Sequence, residues 1–198
     1  LHSVSKALEH VVQDGQRVLV TSDADEIASA ERVVFPGQGA ARDCMRHLCE
    51  TGLDSVVKQA AAEKPFLGIC MGMQVLMAHS EENEGVDCMN LFDGEVRAFA
   101  DEALKAQMQS LKIPHMGWNQ VVQKQDHPMW SGIEDKSRFY FVHSYYVDPD
   151  DRKLVAGLTD YGVTFTSVIA RENLFATQFH PEKSQDVGLN IFKNFGEL

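Results

Sequence analysis

The chain has 198 residues, 44% of them hydrophobic and 24% charged, a composition expected for one globular domain with a sizeable core. Acids outnumber bases by 29 to 18 for a formal net charge of -11, so no basic stripe is available to neutralise phosphates and a nucleic-acid partner is not expected. No apolar run approaches the roughly 20 residues of a membrane-spanning helix. With no secretory signal in view, the four cysteines Cys44, Cys49, Cys70 and Cys88 are expected as reduced thiols in the cytoplasm.

Residues 3–13 read as an amphipathic helix with Val4, Ala7, Leu8, Val11 and Val12 on one stripe, closed by Gly15. Arg17 to Thr21 is a short β-branched run and predicts a strand. A second strand over Arg32–Phe35 stops at Pro36-Gly37-Gln38-Gly39. Helices are expected over 41–51 and about 53–62, with Gly52 between them. Pro65 to Cys70 is almost continuously apolar, as in a strand buried on both faces, and Gly68-Ile69-Cys70-Met71-Gly72 leads from it into a helix near 71–79. In the second half, strands are expected at 94–98, 119–123, 138–147, 154–158, 163–170 and 174–178, and a last helix at about 185–195. Alternating strands and helices give an α/β fold, a mainly parallel sheet flanked by helices, with hairpins added antiparallel in the second half. Folds of this kind normally open on a central strand, whereas this chain opens on a helix; a first strand is expected to be missing from this sequence.

Cys44, His47 and Cys49 could suggest a metal site. In a helix Cys44 and His47 share a face while Cys49 points elsewhere, and no second cluster completes four ligands. No metal or organic cofactor is expected.

Gly68-x-Cys70-x-Gly72 between a buried strand and a helix is the thiol form of a nucleophile elbow. The nucleophile occupies a strained turn, and a side chain at either flank would collide with the neighbouring strand and helix. The turn also presents the sulfur at a helix N-terminus, where negative charge is favoured. Further on, the strand ending at Phe179 delivers His180 and Glu182. Two residues apart in an extended segment, they lie on one side, and Pro181 biases His180 towards that conformation. Glu182 can then accept a hydrogen bond from one ring nitrogen of His180 and leave the other for the thiol proton. Nucleophile, base and orienter complete a triad. Alone, Cys70 reads equally as an inert buried cysteine, His180 as a satisfied histidine, and Glu182 as an acid favoured in a first helical turn. His2, His10, His47, His79 and His127 have no apparent orienter.

Gly-Ile-Cys-Met-Gly-Met-Gln (68–74) together with Gln-Phe-His-Pro-Glu (178–182) resembles the class I (triad) glutamine amidotransferases. Pro36-Gly37-Gln38-Gly39 and Pro114-His-Met-Gly-Trp-Asn119 narrow the resemblance to the glutaminase subunits of imidazole glycerol phosphate synthase, and it covers nearly the whole chain. It implies the class I amidotransferase fold as one domain over 1–198 and glutamine as substrate. Cys70 would attack the side-chain amide, His180 would move the proton and Glu182 would orient His180. The backbone N–H groups of Met71 and Gln38 would hold the oxyanion. Gly39, Gln74, Glu82, Ser144 and Tyr145 would bind glutamine, Glu82 through the α-ammonium and the last two through backbone groups. The implied partner is a cyclase subunit with a (βα)8 barrel that takes up the ammonia and yields imidazole glycerol phosphate and an aminoimidazole carboxamide ribotide. His115, Met116, Trp118 and Asn119 would face that partner, Trp118 as an anchor, and His143 would line the pocket or the seam. The expected opening strand and its Asp-Tyr-Gly-x-Gly-Asn turn are missing, and Gln38 stands where a small apolar residue is common. Three alternatives stay open: the glutaminase of another triad amidotransferase such as pyridoxal phosphate or anthranilate synthase, a different cysteine-elbow hydrolase, or a non-catalytic module.

Overall fold

The computed structural model describes residues 1–13, 15–99 and 111–198. The first helix, α1 (His2–Val11), buries Val4. It packs the stripe Ala7, Leu8 and Val11 into one of two cores. A short helix that sequence reading did not foresee, α2 (Ala24–Ser29), is capped by Asp23, whose carboxylate accepts from the N–H groups of Asp25 and Glu26. Then follow β1 (Val33–Gly37), α3 (Ala41–Thr51), α4 (Leu53–Glu63), β2 (Phe66–Cys70) and the single turn α5 (Met71–Gln74). Gly52, in the left-handed region at φ 70°, ends α3 and begins α4.

The second half supplies β3 (Met77–Ser80), β4 (Val86–Asp87), β5 (Phe92–Ala98), β6 (His115–Gln120), β7 (Val122–Gln123), β8 (Arg138–His143) and β9 (Tyr145–Pro149). It closes with β10 (Val155–Asp160), β11 (Thr164–Arg171), β12 (Leu174–Thr177) and the terminal helix α6 (Gln185–Glu197). A ten-stranded sheet runs β1-β2-β12-β11-β9-β5-β3-β4, with β10 and β7 branching from β11. Pairing is parallel across β1–β2–β12 and between β3 and β5, and antiparallel where hairpins were expected. A separate two-stranded sheet joins β6 to β8.

Strand alternation along β2 sends Phe66 into one core and Leu67 and Ile69 into the other. The first core is covered by α3 and α4 through Met45, Leu48, Val57 and Ala61. The second is covered by α1 and α6 and is rich in aromatic rings, including Phe99, Phe139, Phe141 and Phe165. Burial on both faces explains why the β2 segment reads as an unbroken apolar run.

Three expected elements are not formed as read, the first being the strand expected at 138–147, which breaks at Ser144 into β8 and β9 of different sheets. Residues 17–21 belong to no strand, and Leu19 and Val20 are 52% and 59% exposed; a β-branched run becomes a strand only beside a hydrogen-bonding neighbour, and among the described strands β1 pairs only with β2. The helix expected near 71–79 stops after one turn, and residues 77–80 pair with β5 and β4. Residues 71–77 are buried throughout, so the stretch has no polar face whose period could separate helix from strand.

The last helix approaches the strand-end turn through Gly188. A Cβ there would stand 1.9 Å from the carbonyl oxygen of Pro181. Gly188→Ala is expected to destabilise the fold by roughly 1–3 kcal/mol through forced backbone displacement, read as a lowered urea midpoint. An unchanged midpoint would show that the helix shifts at no cost.

Candidate active site

Three parallel strands, β1, β2 and β12, end side by side. Gly37 is in register with Cys70 and Thr177 with Ile69, so the loop after β1, the elbow after β2 and the turn after β12 meet at one edge of the sheet. Carboxyl ends of parallel strands are where α/β folds place their ligands.

Cys70 has φ 55° and ψ -110°, a conformation that costs a non-glycine residue on the order of 1–3 kcal/mol. The flanking glycines allow it. A Cβ on residue 72 would lie 1.9 Å from the carbonyl oxygen of Phe35, and one on residue 68 would lie 2.9 Å from Cβ of Ala176. On the facing strand, a Cβ on Gly37 would lie 2.8 Å from Cβ of Met71. The steric reason read from the Gly-x-Cys-x-Gly spacing therefore holds, with the collisions coming from β1, β12 and the elbow itself. Met71 opens α5, so its N–H is not spent inside that helix. Gln38 and Gly39 are exposed, and Gly39 takes φ 86°.

His180 reaches the elbow from the turn after β12. Its N–H donates to the Tyr140 carbonyl at 2.9 Å, and its carbonyl accepts from Oγ of Ser184 at 2.7 Å. That same Oγ accepts from Tyr140 N–H at 2.9 Å, which ties the turn to β8 on both sides. Nδ1 of His180 is 2.8 Å from Oε1 of Glu182, with the two side chains only 12% and 5% exposed. Oε2 of Glu182 is buried with no hydrogen-bond partner among the described residues. This makes His180 the carboxylate's principal compensation. Burial by itself would lower the pKa of His180, but hydrogen bonds to Cys70 and Glu182 and the charges of both outweigh it and raise the value to about 9. The arrangement can pass a proton between sulfur and imidazole while the carboxylate fixes the ring.

The other expected site residues divide. Glu82 accepts from the N–H of Ala41 at 2.7 Å, beside the loop carrying Gln38 and Gly39. Its neighbour Glu81 accepts from the N–H of Ala98 instead. Gln74 is 4% exposed and donates to the Tyr145 carbonyl at 3.0 Å and to Oε1 of Gln178 at 2.9 Å. The Tyr145 carbonyl also accepts from Nδ1 of His143 at 2.8 Å, which fills both its lone pairs. The Ser144 carbonyl accepts from Phe99 N–H at 3.1 Å. A backbone contact from Tyr145 to a ligand therefore cannot use its oxygen.

Along β6 the side chains alternate. Met116 and Trp118 are 61% and 41% exposed, whereas His115 is 2% exposed. His115 stacks on Tyr161 and Phe141, and Asn119 turns to the Asp160 carbonyl at 2.8 Å. His115 and Asn119 thus do not share the outward face expected for all four residues, because a strand sends consecutive side chains to opposite sides. Gln178 was assigned no role from sequence, yet it is fully buried and its Nε2 lies 3.7 Å from Sγ of Cys70. Its position two residues before His180, on the same side of an extended segment, was the available signal. All four cysteines are free, and among the described residues no group of three or more His, Cys, Asp or Glu could hold a metal ion. No helix among them is long and apolar enough to cross a membrane.

The raised pKa of His180 gives a signed expectation. Its value near 9 exceeds the ordinary 6.5, so the stability it contributes is complete below pH 6.5 and is lost as pH rises through about 9. An NMR titration should place its midpoint well above 6.5, and Glu182→Gln should move that midpoint down. A midpoint at or below 6.5 would show that burial dominates.

The sequence pattern of the class-I glutamine amidotransferases matches residues 1–197. The chain is 55% identical over 195 residues to imidazole glycerol phosphate synthase subunit HisH of Hydrogenovibrio crunogenus, covering 98% of this chain and 90% of that one. It is 58% identical over 196 residues to the same subunit of Aromatoleum aromaticum, covering 98% and 92%. A crystal structure of a glutamine amidotransferase superposes with a TM-score of 0.71 over 100% of this chain and 94% of that one at 14% identity, a likeness of fold alone. The chain belongs to the class-I glutamine amidotransferase family and, within it, to the HisH subunits of imidazole glycerol phosphate synthase.

Proposed function

We propose that this chain hydrolyses glutamine at Cys70 and delivers the ammonia to the cyclase subunit of an imidazole glycerol phosphate synthase, for histidine biosynthesis. The observation that carries this reading is the convergence of Cys70, His180 and Glu182 at one sheet edge in a chain of this family. Sγ of Cys70 attacks the side-chain carboxamide carbon, the thiol proton having passed to His180, which holds it as an imidazolium against Glu182. The tetrahedral oxyanion lies against the N–H of Met71 and a second N–H from the loop at Gln38; each such donor is worth about 3–4 kcal/mol in the transition state. Collapse breaks the C–N bond, and His180 returns a proton to the departing nitrogen, releasing ammonia and leaving a thioester. Water then attacks the thioester carbon with His180 as base, giving glutamate and free Cys70.

Glu82 holds the α-ammonium in this reading, with Gly39 and Ser144 as further glutamine-binding residues, while Gln74 acts from within the protein. Ammonia is nucleophilic only while unprotonated, so it must pass to its acceptor under cover. The partner is a (βα)8-barrel subunit that seats on the face carrying Met116 and Trp118, and free thiols suit a cytoplasmic enzyme.

Glutamine hydrolysis by the chain alone, and with the cyclase subunit and its nucleotide ligand, tests this reading. Low activity alone and a large rise in the complex, both abolished by Cys70→Ala, are expected. High activity without a partner would keep the triad and remove the subunit role; none in either state would sink both. Trp118→Ala should weaken association about 30-fold, as for an anchor worth about 2 kcal/mol, with little effect on folding because Trp118 is 41% exposed. Normal complex formation and unchanged activation would remove Trp118 from the interface.

A further inference from the structure

His115 and His143 are both buried, and Nδ1 of the first lies 2.9 Å from Nε2 of the second. The protons on this pair can be assigned by elimination. Nδ1 of His143 faces the Tyr145 carbonyl at 2.8 Å, and a carbonyl only accepts, so that nitrogen carries hydrogen. A neutral imidazole has one N–H; Nε2 of His143 is therefore an acceptor, and His115 must donate from Nδ1. Nε2 of His115 is then an acceptor as well and takes the Asn119 amide at 3.3 Å. Asn119 is itself fixed, because its Nδ2 also donates to the Asp160 carbonyl and its Oδ1 accepts from the N–H of Gln120.

Neutrality is supported on every side of the pair. Around it stand the rings of Phe99, Phe141, Tyr161 and Phe165. Burial lowers the pKa of His115 to about 4 and of His143 to about 3.

Beyond the Tyr145 carbonyl the chain of bonds continues to the nucleophile. Gln74 donates from Nε2 to that carbonyl and to Oε1 of Gln178. With its oxygen so occupied, Gln178 must turn Nε2 outward, and that group meets Sγ of Cys70 at 3.7 Å. Each member has one orientation, and each orientation is dictated by the next.

We infer that Gln178 is a catalytic donor to the Cys70 sulfur, and that the neutral His115–His143 pair is a positioning device that holds it there through Tyr145 and Gln74. A donor aimed at sulfur favours the thiolate that attacks and the thiolate that leaves when the thioester is hydrolysed. This assignment rests on the proposed role of Cys70 as nucleophile.

The test uses the complex with the cyclase subunit. Gln178→Met removes the donor at similar volume and is expected to lower kcat for glutamine about tenfold, as for a hydrogen bond to a charged group, with KM within about twofold. His143→Phe keeps a ring in the aromatic cage and should lower kcat in the same way. His143→Asn, whose amide can donate from near the Nδ1 position, should restore most of it. A merely structural histidine would lower thermal stability while kcat of the folded fraction stayed at the wild-type value, and that result overturns the inference. Should the variants not fold, nitrogen-15 NMR of the unmodified protein decides: both histidines are expected neutral and protonated on Nδ1, and an Nε2–H tautomer at either position overturns it. Both Nδ1–H tautomers in a protein that hydrolyses no glutamine would uphold the pair and sink the functional reading.

Discussion

The Phe35 carbonyl occupies the space that a side chain on residue 72 would need, and the site depends on that close approach. Because β1 and α5 touch through backbone there, the loop after β1 lies against the elbow with no side chain between them. The proposed oxyanion donor from the loop requires that condition. The same approach forces Cys70 to φ 55°, since the chain must turn from strand into helix within one residue. Parallel pairing of β1, β2 and β12 maintains the strain, as each strand end is pinned by its neighbour's register. A looser sheet would let the elbow relax and withdraw the sulfur.

Electrostatics are arranged around this frame with few groups. Glu182 is buried with one oxygen committed to His180 and the other without a partner among the described residues. Such a carboxylate is costly unless its neighbour is a cation, so it favours the imidazolium. His115 and His143 lie in an aromatic cage without a carboxylate partner among the described residues, and burial keeps them neutral. Two kinds of histidine thus coexist in one small region, charged where an acid compensates and neutral where only rings surround. The donor and acceptor roles at each ring nitrogen follow from that difference.

Much of this was legible in the sequence where a local rule had a single outcome. Gly68-x-Cys70-x-Gly72 between an apolar run and a helix start admits one geometry. His180-Pro181-Glu182 gave the right pair for the wrong reason, because Pro181–Lys183 forms a 3-10 turn rather than an extended segment and the Nδ1–Oε1 contact is made across that turn. Several later strands were readable because alternation and turn residues recur there, but the break at Ser144 between β8 and β9 was not, and neither were β3 and β4. Reading failed where the environment decides. The segment 17–21 has strand composition, but composition provides no neighbour. The stretch after Gln74 is apolar all round, so its period carried no information. Gln178 carried a local signal in its place two residues before His180, but its role follows from partners over a hundred positions away in the chain, which local spacing does not reveal. Asp23 did signal α2 as a cap ahead of two acids, but a six-residue helix has too little apolar pattern to be recognised.

Strand alternation along β6 separates two kinds of contact on one short element. Met116 and Trp118 leave the protein, while His115 and Asn119 enter it. A single-residue slip in register against β8 would exchange the two sets, burying Met116 and Trp118 and exposing an imidazole whose hydrogen bonds depend on burial. The register is held by pairing His115 with His143, and Asn119 with Phe139, and the imidazole bond adds a polar contact that a slipped strand could not form. The histidine pair therefore fixes the strand that presents the outer face as well as the carbonyl that leads to Cys70. Apolar residues of similar size could fill the same volume, but they would give no directional contact to choose between neighbouring registers. In a core this rich in interchangeable rings, that choice is the physical reason to retain two buried imidazoles.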